Sequence, residues 1–77
     1  MATQKFDANL STGRIYLNSS NGDRTFYGQA IAVGDAPRIA GILCRAYRAN
    51  EAGHYTASAR LYAQAEALVR LSKAFSS

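Results

Sequence analysis

The segment "RIYLNSSNGDRTFYGQAIAV", residues 14–33, decides how this chain folds. Asn21-Gly22 lies between two runs rich in β-branched and aromatic residues. Both central residues of a tight hairpin turn need positive φ, and Asn-Gly adopts it at little cost. The dipeptide predicts a hairpin whose arms are "RIYLNSS" and "RTFYGQAIAV". With a two-residue turn, Ser20 faces Asp23. Counting outward then sets Leu17 opposite Phe26, Tyr16 opposite Tyr27 and Ile15 opposite Gly28. In that register Ile15, Leu17 and Phe26 share one face of the sheet, while Tyr16, Tyr27, Ile31 and Val33 share the other. A bulge at Gly28 would change the pattern toward the end of the strand.

Toward the N-terminus, Phe6, Ala8 and Leu10 alternate with Lys5, Asp7 and Asn9, the period of a half-buried strand. "STG" follows, with Gly13 suited to the positive-φ position of a short loop. Residues 5–33 therefore read as a three-stranded antiparallel β-meander. Beyond Val33 the period becomes helical. Asp35 is a good N-cap, and Pro37 falls in the first turn, where its missing N–H costs nothing. Ile39, Ile42, Leu43, Ala46 and Tyr47 recur at three- and four-residue spacing, and Gly53 marks a C-terminal stop. A first helix is expected over 35–52 and a second over 55–75, the latter with a seam of Leu61, Ala65, Leu68, Ser72 and Phe75. The expected fold is α+β, order β-β-β-α-α, one domain over 1–77 with the helical hairpin packed on one face of the meander.

Gly53, Tyr55, Tyr62 and Ala65 resemble the turn and second helix of a tetratricopeptide repeat: G-x-Y, an aromatic seven positions on, and alanine three further. The resemblance covers about a quarter of the chain, Ser58 stands where the repeat usually has alanine, and no second copy follows. It implies a tight helical hairpin.

Composition narrows the function classes. With 48% hydrophobic and 18% charged residues, the chain suits a packed globule rather than disorder. At 77 residues the core leaves a thin margin over chain entropy. Either the packing is efficient, or a partner such as a second copy, in a homodimer, covers apolar surface. A single cysteine allows no internal disulfide, and no run approaches the ~18–20 apolar residues of a membrane span. "MATQKFDANLSTG" lacks the apolar core of a signal peptide, so a cytoplasmic location is expected, with no membrane partner. The net charge is +4, and seven of the nine basic residues are arginine, whose planar fork suits carboxylates and phosphates. That sign argues against a DNA mimic.

Catalytic patterns are scarce. His54 and Cys44 are the only residues of their kinds; ten helical positions would separate them by about 15 Å, beyond the ~3 Å reach of a working dyad. Metal-ligand spacing is missing and the glycines occur singly, so neither metal nor cofactor is expected, and the chain does not read as an enzyme. The arginines are better placed. At 100° per residue, Arg38, Arg45 and Arg48 fall within about 80° of one another, opposite the apolar stripe, with no acid on that side before Glu51. On the hairpin, Arg14, Tyr16 and Tyr27 share a face and Arg24 lies near the tip. Such a group can stack bases or form an interface hot spot; equally, Tyr16 and Tyr27 can pair across strands beneath the helices. The expected function is non-catalytic: an inhibitor or adaptor docking on an acidic protein surface or a nucleoprotein complex. Phages and mobile elements often encode small folds of this style, anti-CRISPR proteins among them. The alternative is a sequence-tolerant DNA- or RNA-binding protein using the same arginines and tyrosines.

Overall fold

The computed structural model describes residues 4–75. Three strands come first: β1 (Phe6–Ala8), β2 (Arg14–Asn18) and β3 (Arg24–Ala30). A 3-10 turn at Val33–Asp35 leads into α1 (Ala36–Glu51) and α2 (Tyr55–Glu66), and the chain returns to the sheet as β4 (Val69–Leu71). The sheet is antiparallel throughout, in the order β1-β2-β3-β4, with the helical hairpin inserted between its last two strands. The fold is α+β as expected, but it has four strands instead of three.

The hairpin turn is one residue longer than a two-residue turn. Ser19 and Asp23 close the loop, with the Ser19 N–H donating to the Asp23 carbonyl at 2.9 Å. Inside it, the Gly22 N–H reaches the Ser19 carbonyl at 3.1 Å, and Gly22 takes φ +93°. This is the three-residue loop in which a turn is followed by a left-handed glycine. Local side chains favour it: the Asp23 N–H donates to both the Ser19 hydroxyl and the Asn21 amide oxygen, and those two side chains bond each other. The register shifts by one, setting Tyr16 opposite Phe26 and Leu17 opposite Thr25. An irregularity between Ile15 and Tyr16, where Tyr27 is the additional residue on β3, then restores Ile15 opposite Gly28. Phe26 and Tyr27 thereby exchange the faces expected of them. Tyr27 turns inward and is only 7% exposed; Phe26 points outward at 38%.

The inner face of the sheet carries Phe6, Ile15, Tyr27 and Ala30, which pack with Ile39, Ile42 and Leu43 of α1, Ala65 of α2 and Val69 of β4. Tyr27 meets Phe6 edge-on, ring centroids 5.3 Å apart, and lies 5.0 Å from the Phe75 ring. Leu10, Ile31 and Val33, expected on strands, fall outside them and are exposed. The apolar stripe of α1 is buried as its period requires, with Tyr47 half-covered at the margin. Asp35 makes no side-chain cap and belongs to the 3-10 turn, its N–H bonded to the Ala32 carbonyl at 2.9 Å. At the other end, Gly53 (φ +84°) donates to the Asn50 carbonyl and His54 to that of Ala49, the paired bonds that close a helix on a left-handed glycine. The Ser58 hydroxyl, buried between the helices, donates to the Ala46 carbonyl at 2.8 Å. Small residues at Ala46, Ser58 and Ala65 let α1 and α2 approach closely.

The second helix stops at Glu66 instead of continuing to Phe75. Residues 69–71 satisfy both periods, since Val-Arg-Leu also alternates as a strand with Val69 buried and Arg70 exposed. The open edge of β3 decides between them, because its backbone groups need partners. Gly28 admits the fourth strand: a Cβ there would lie 2.5 Å from the Arg70 carbonyl oxygen.

Candidate functional site

Two arginine surfaces lie on opposite sides of this two-layer fold. The first is the solvent side of α1, where Arg38, Arg45 and Arg48 are all exposed. Among the described residues the one ion pair is Arg24–Asp7, at 3.6 Å, so none of these three guanidiniums is neutralised by a carboxylate. Glu51 is the nearest acid along the helix; its hydrogen-bonding influence first, and its charge second, hold the Tyr47 hydroxyl above the usual tyrosine pKa. Arg48 also borders a half-open groove of about 700 Å³ between α1 and the β2–β3 turn, together with Lys5, Ser19, Cys44 and Tyr47. The Lys5 ammonium sits 4.8 Å from the centre of the Tyr47 ring. The Cys44 thiol donates to the Phe6 carbonyl at 3.4 Å, tying the groove's floor to β1.

The second surface is the outer face of the sheet. Tyr16 and Phe26 stand side by side across β2 and β3, ring centroids 6.0 Å apart. Each ring carries its own arginine: Arg24 lies 4.5 Å above Tyr16, and Arg14 lies 5.5 Å above Phe26. Exposed contacts of this kind are worth about 0.5–1 kcal/mol each. Asp7 of β1, directly opposite Tyr16, pairs across β2 with Arg24 and accepts a 3.1 Å bond from the Asn18 amide. Below the aromatic pair, Arg14 faces Gln29 and Gln29 faces Arg70, so three strands present these side chains in one row.

Arg14 and Tyr16 therefore share a face as the hairpin predicts; Arg24, expected only near the tip, joins them through the shifted register, whereas Tyr27 lies in the core and Phe26 occupies the outward place. Burial, with Glu66 and Tyr62 nearby, pushes the Tyr27 hydroxyl up to about 12. Sequence reasoning missed Phe26 and Arg70. The alternation of β3 would have found Phe26 had the turn been counted at three residues. No local signal marks Arg70, because its place depends on β4 pairing with β3.

Cys44 and His54 do not share a site: Cys44 borders the groove beside α1, and His54 borders a shallow depression with Tyr55, Arg60 and Leu61. Among the described residues, no three His, Cys, Asp or Glu side chains are grouped to hold a metal ion. No helix among them is long and apolar enough to cross a membrane. The chain matches no protein-family model, no curated protein and no solved structure.

Proposed function

We propose that this chain is a small non-catalytic binding protein, an inhibitor or adaptor that docks through α1 on an acidic surface of a larger protein or nucleoprotein assembly. The observation that carries this reading is the row of Arg38, Arg45 and Arg48, exposed together on the solvent side of one helix and, among the described residues, paired with no carboxylate. An ordinary solvated face mixes signs and neutralises itself, which lowers its attraction for any one partner. Three guanidiniums of one sign instead steer an acidic surface into register, and each can hold a carboxylate or phosphate through two parallel bonds. Arginine is also among the residues that most often dominate interface energies.

The helix supporting the row is anchored by Ile39, Ile42 and Leu43 in the core, so the row can be altered without disturbing the fold. Replacing Arg45 and Arg48 with glutamate is expected to leave thermal unfolding within about 1 kcal/mol of the parent, as surface changes usually do. The same double variant is expected to lose the partner captured from native host cells by the tagged parent protein and identified by mass spectrometry. An unchanged capture by the variant would remove this surface from the function.

A further inference from the structure

We propose that the outer face of the sheet is a binding platform for single-stranded nucleic acid, with bases stacking on Tyr16 and Phe26 and phosphates held by Arg14, Arg24 and Arg70. This site is separate from the α1 row and shares no residue with it. Three features of the face carry it. Two rings, Phe26 exposed and Tyr16 half-buried, lie side by side, 6.0 Å apart, a spacing two neighbouring unstacked bases can follow. Arginines flank the pair at both ends, Arg24 toward the hairpin tip and the row of Arg14, Gln29 and Arg70 on the other side. Adjacent strands are about 4.8 Å apart, so that row extends on the order of 10 Å across the sheet. Among the described residues, the one acid that the paired strands carry on this face, Asp7, is already committed to Arg24 and Asn18.

The free protein keeps the platform covered with its own cations. Arg24 rests over Tyr16 and Arg14 over Phe26, which shields the rings from water. An incoming strand supplies what each partner needs: a base for the ring and a phosphate for the guanidinium that leaves it. Both surface contacts are weak, so the exchange is cheap. An acidic protein partner would engage the guanidiniums and leave the two rings without a role; a single strand uses both. Duplex DNA presents phosphates but no free base faces, so it uses only the arginines. Stacking on every base alike makes the platform tolerant of sequence.

Fluorescence anisotropy with labelled oligo(dT), oligo(rU) and a duplex of equal length tests this, with the intact chain titrated at low and at moderate salt. The expected result is binding of a single strand in preference to the duplex, with affinity falling with salt at a slope of about −2 for three phosphate contacts. The dT and rU arms tell which sugar the platform accepts. Tyr16→Ala with Phe26→Ala is expected to weaken binding by at least about 10-fold while leaving the salt slope unchanged. Arg14→Gln with Arg70→Gln is expected to flatten the slope by about 1.4. Circular dichroism verifies folding of both variants, and the arginine pair, exposed at both positions, keeps the test open should the aromatic pair unfold. Absence of binding at low salt overturns the proposal. So does equal binding of duplex and single strand that ignores the aromatic change, or binding lost only on replacing Arg38, Arg45 and Arg48. Those results would leave the sheet face to a protein partner or to none.

Discussion

The two faces of the sheet hold similar side chains and use them in opposite ways. Inside, Tyr27 is enclosed by Phe6 and Phe75, and its ring fills the space between sheet and helices. Outside, Tyr16 and Phe26 are packed by no helix and are covered by arginines drawn from the same two strands. Phe26 and Tyr27 are chain neighbours, yet one belongs to the surface and the other to the core. Residue type does not separate them. The register does: the three-residue turn sets Phe26 beside Tyr16 on the outer face and leaves Tyr27 inward, and the extra residue in β3 then restores Ile15 opposite Gly28. An aromatic residue near a hairpin tip therefore acquires its task from register, and a register is a property of two strands together.

The strongest way to break the contrast is to truncate each ring. Tyr27→Ala is expected to cost about 3–5 kcal/mol of stability in urea unfolding, a large part of what a chain of this size possesses. Phe26→Ala is expected to cost about 1 kcal/mol or less in the same measurement, since its ring is already partly in water. Comparable losses for the two would abolish the distinction between the faces. Next in size, Gly28→Ala drives a Cβ against the Arg70 carbonyl, at a cost of about 1–3 kcal/mol. Amide exchange should locate that loss in β4 and the adjoining half of β3, with α1 retaining its protection.

Alkaline titration sharpens the comparison further. The Tyr27 hydroxyl ionises near 12 in the folded protein and near 10.0 when unfolded. Its contribution to stability is therefore complete below pH 10 and is lost as pH rises from there toward 12, because the unfolded chain releases the proton first. Tyr27→Phe should flatten the decline in urea-unfolding stability over that range. A smaller decline should remain, since burial also raises the Tyr62 pKa. The smallest expected effect is outside. Arg24→Gln removes one exposed ion pair and one stacked cation, and should change stability by about 1 kcal/mol or less. A larger loss in equilibrium unfolding would show that the outer arginines support the fold.

The features legible in the sequence are those set by short-range chemistry. Alternation marked β1, Asn21-Gly22 marked the hairpin, Pro37 and Gly53 bracketed α1, and the stripe from Ile39 to Ala46 identified its buried side. The same helical period placed Arg38, Arg45 and Arg48 in solvent. What the sequence hid depends on competition between distant or nearly equal options. Ser19 and Asn21 can satisfy the backbone of a three-residue loop as readily as Asn-Gly can form a two-residue one, and that one residue displaced Phe26 and Tyr27. Residues 69–71 suit a helix seam and a strand alike; the unpaired edge of β3 and the missing Cβ at Gly28 tipped them into β4. Arg70 reached the outer face by the same route, so a candidate surface read from the hairpin alone lacked one of its cations.

The place of β4 has a consequence for assembly on the ribosome. Leu71 pairs with Gly28, a partner synthesised 43 residues earlier. As the chain is made, the meander and the first helix emerge while one side of β3 still has no neighbour. Bare edges of this kind invite pairing with another nascent chain. The local contacts of the α1–α2 hairpin form quickly and carry the last strand back to its site, whereas the strand pairing itself must wait for residue 71 to leave the exit tunnel. Until residues 69–71 clear the tunnel, the open edge of β3 is therefore the molecule's stickiest point.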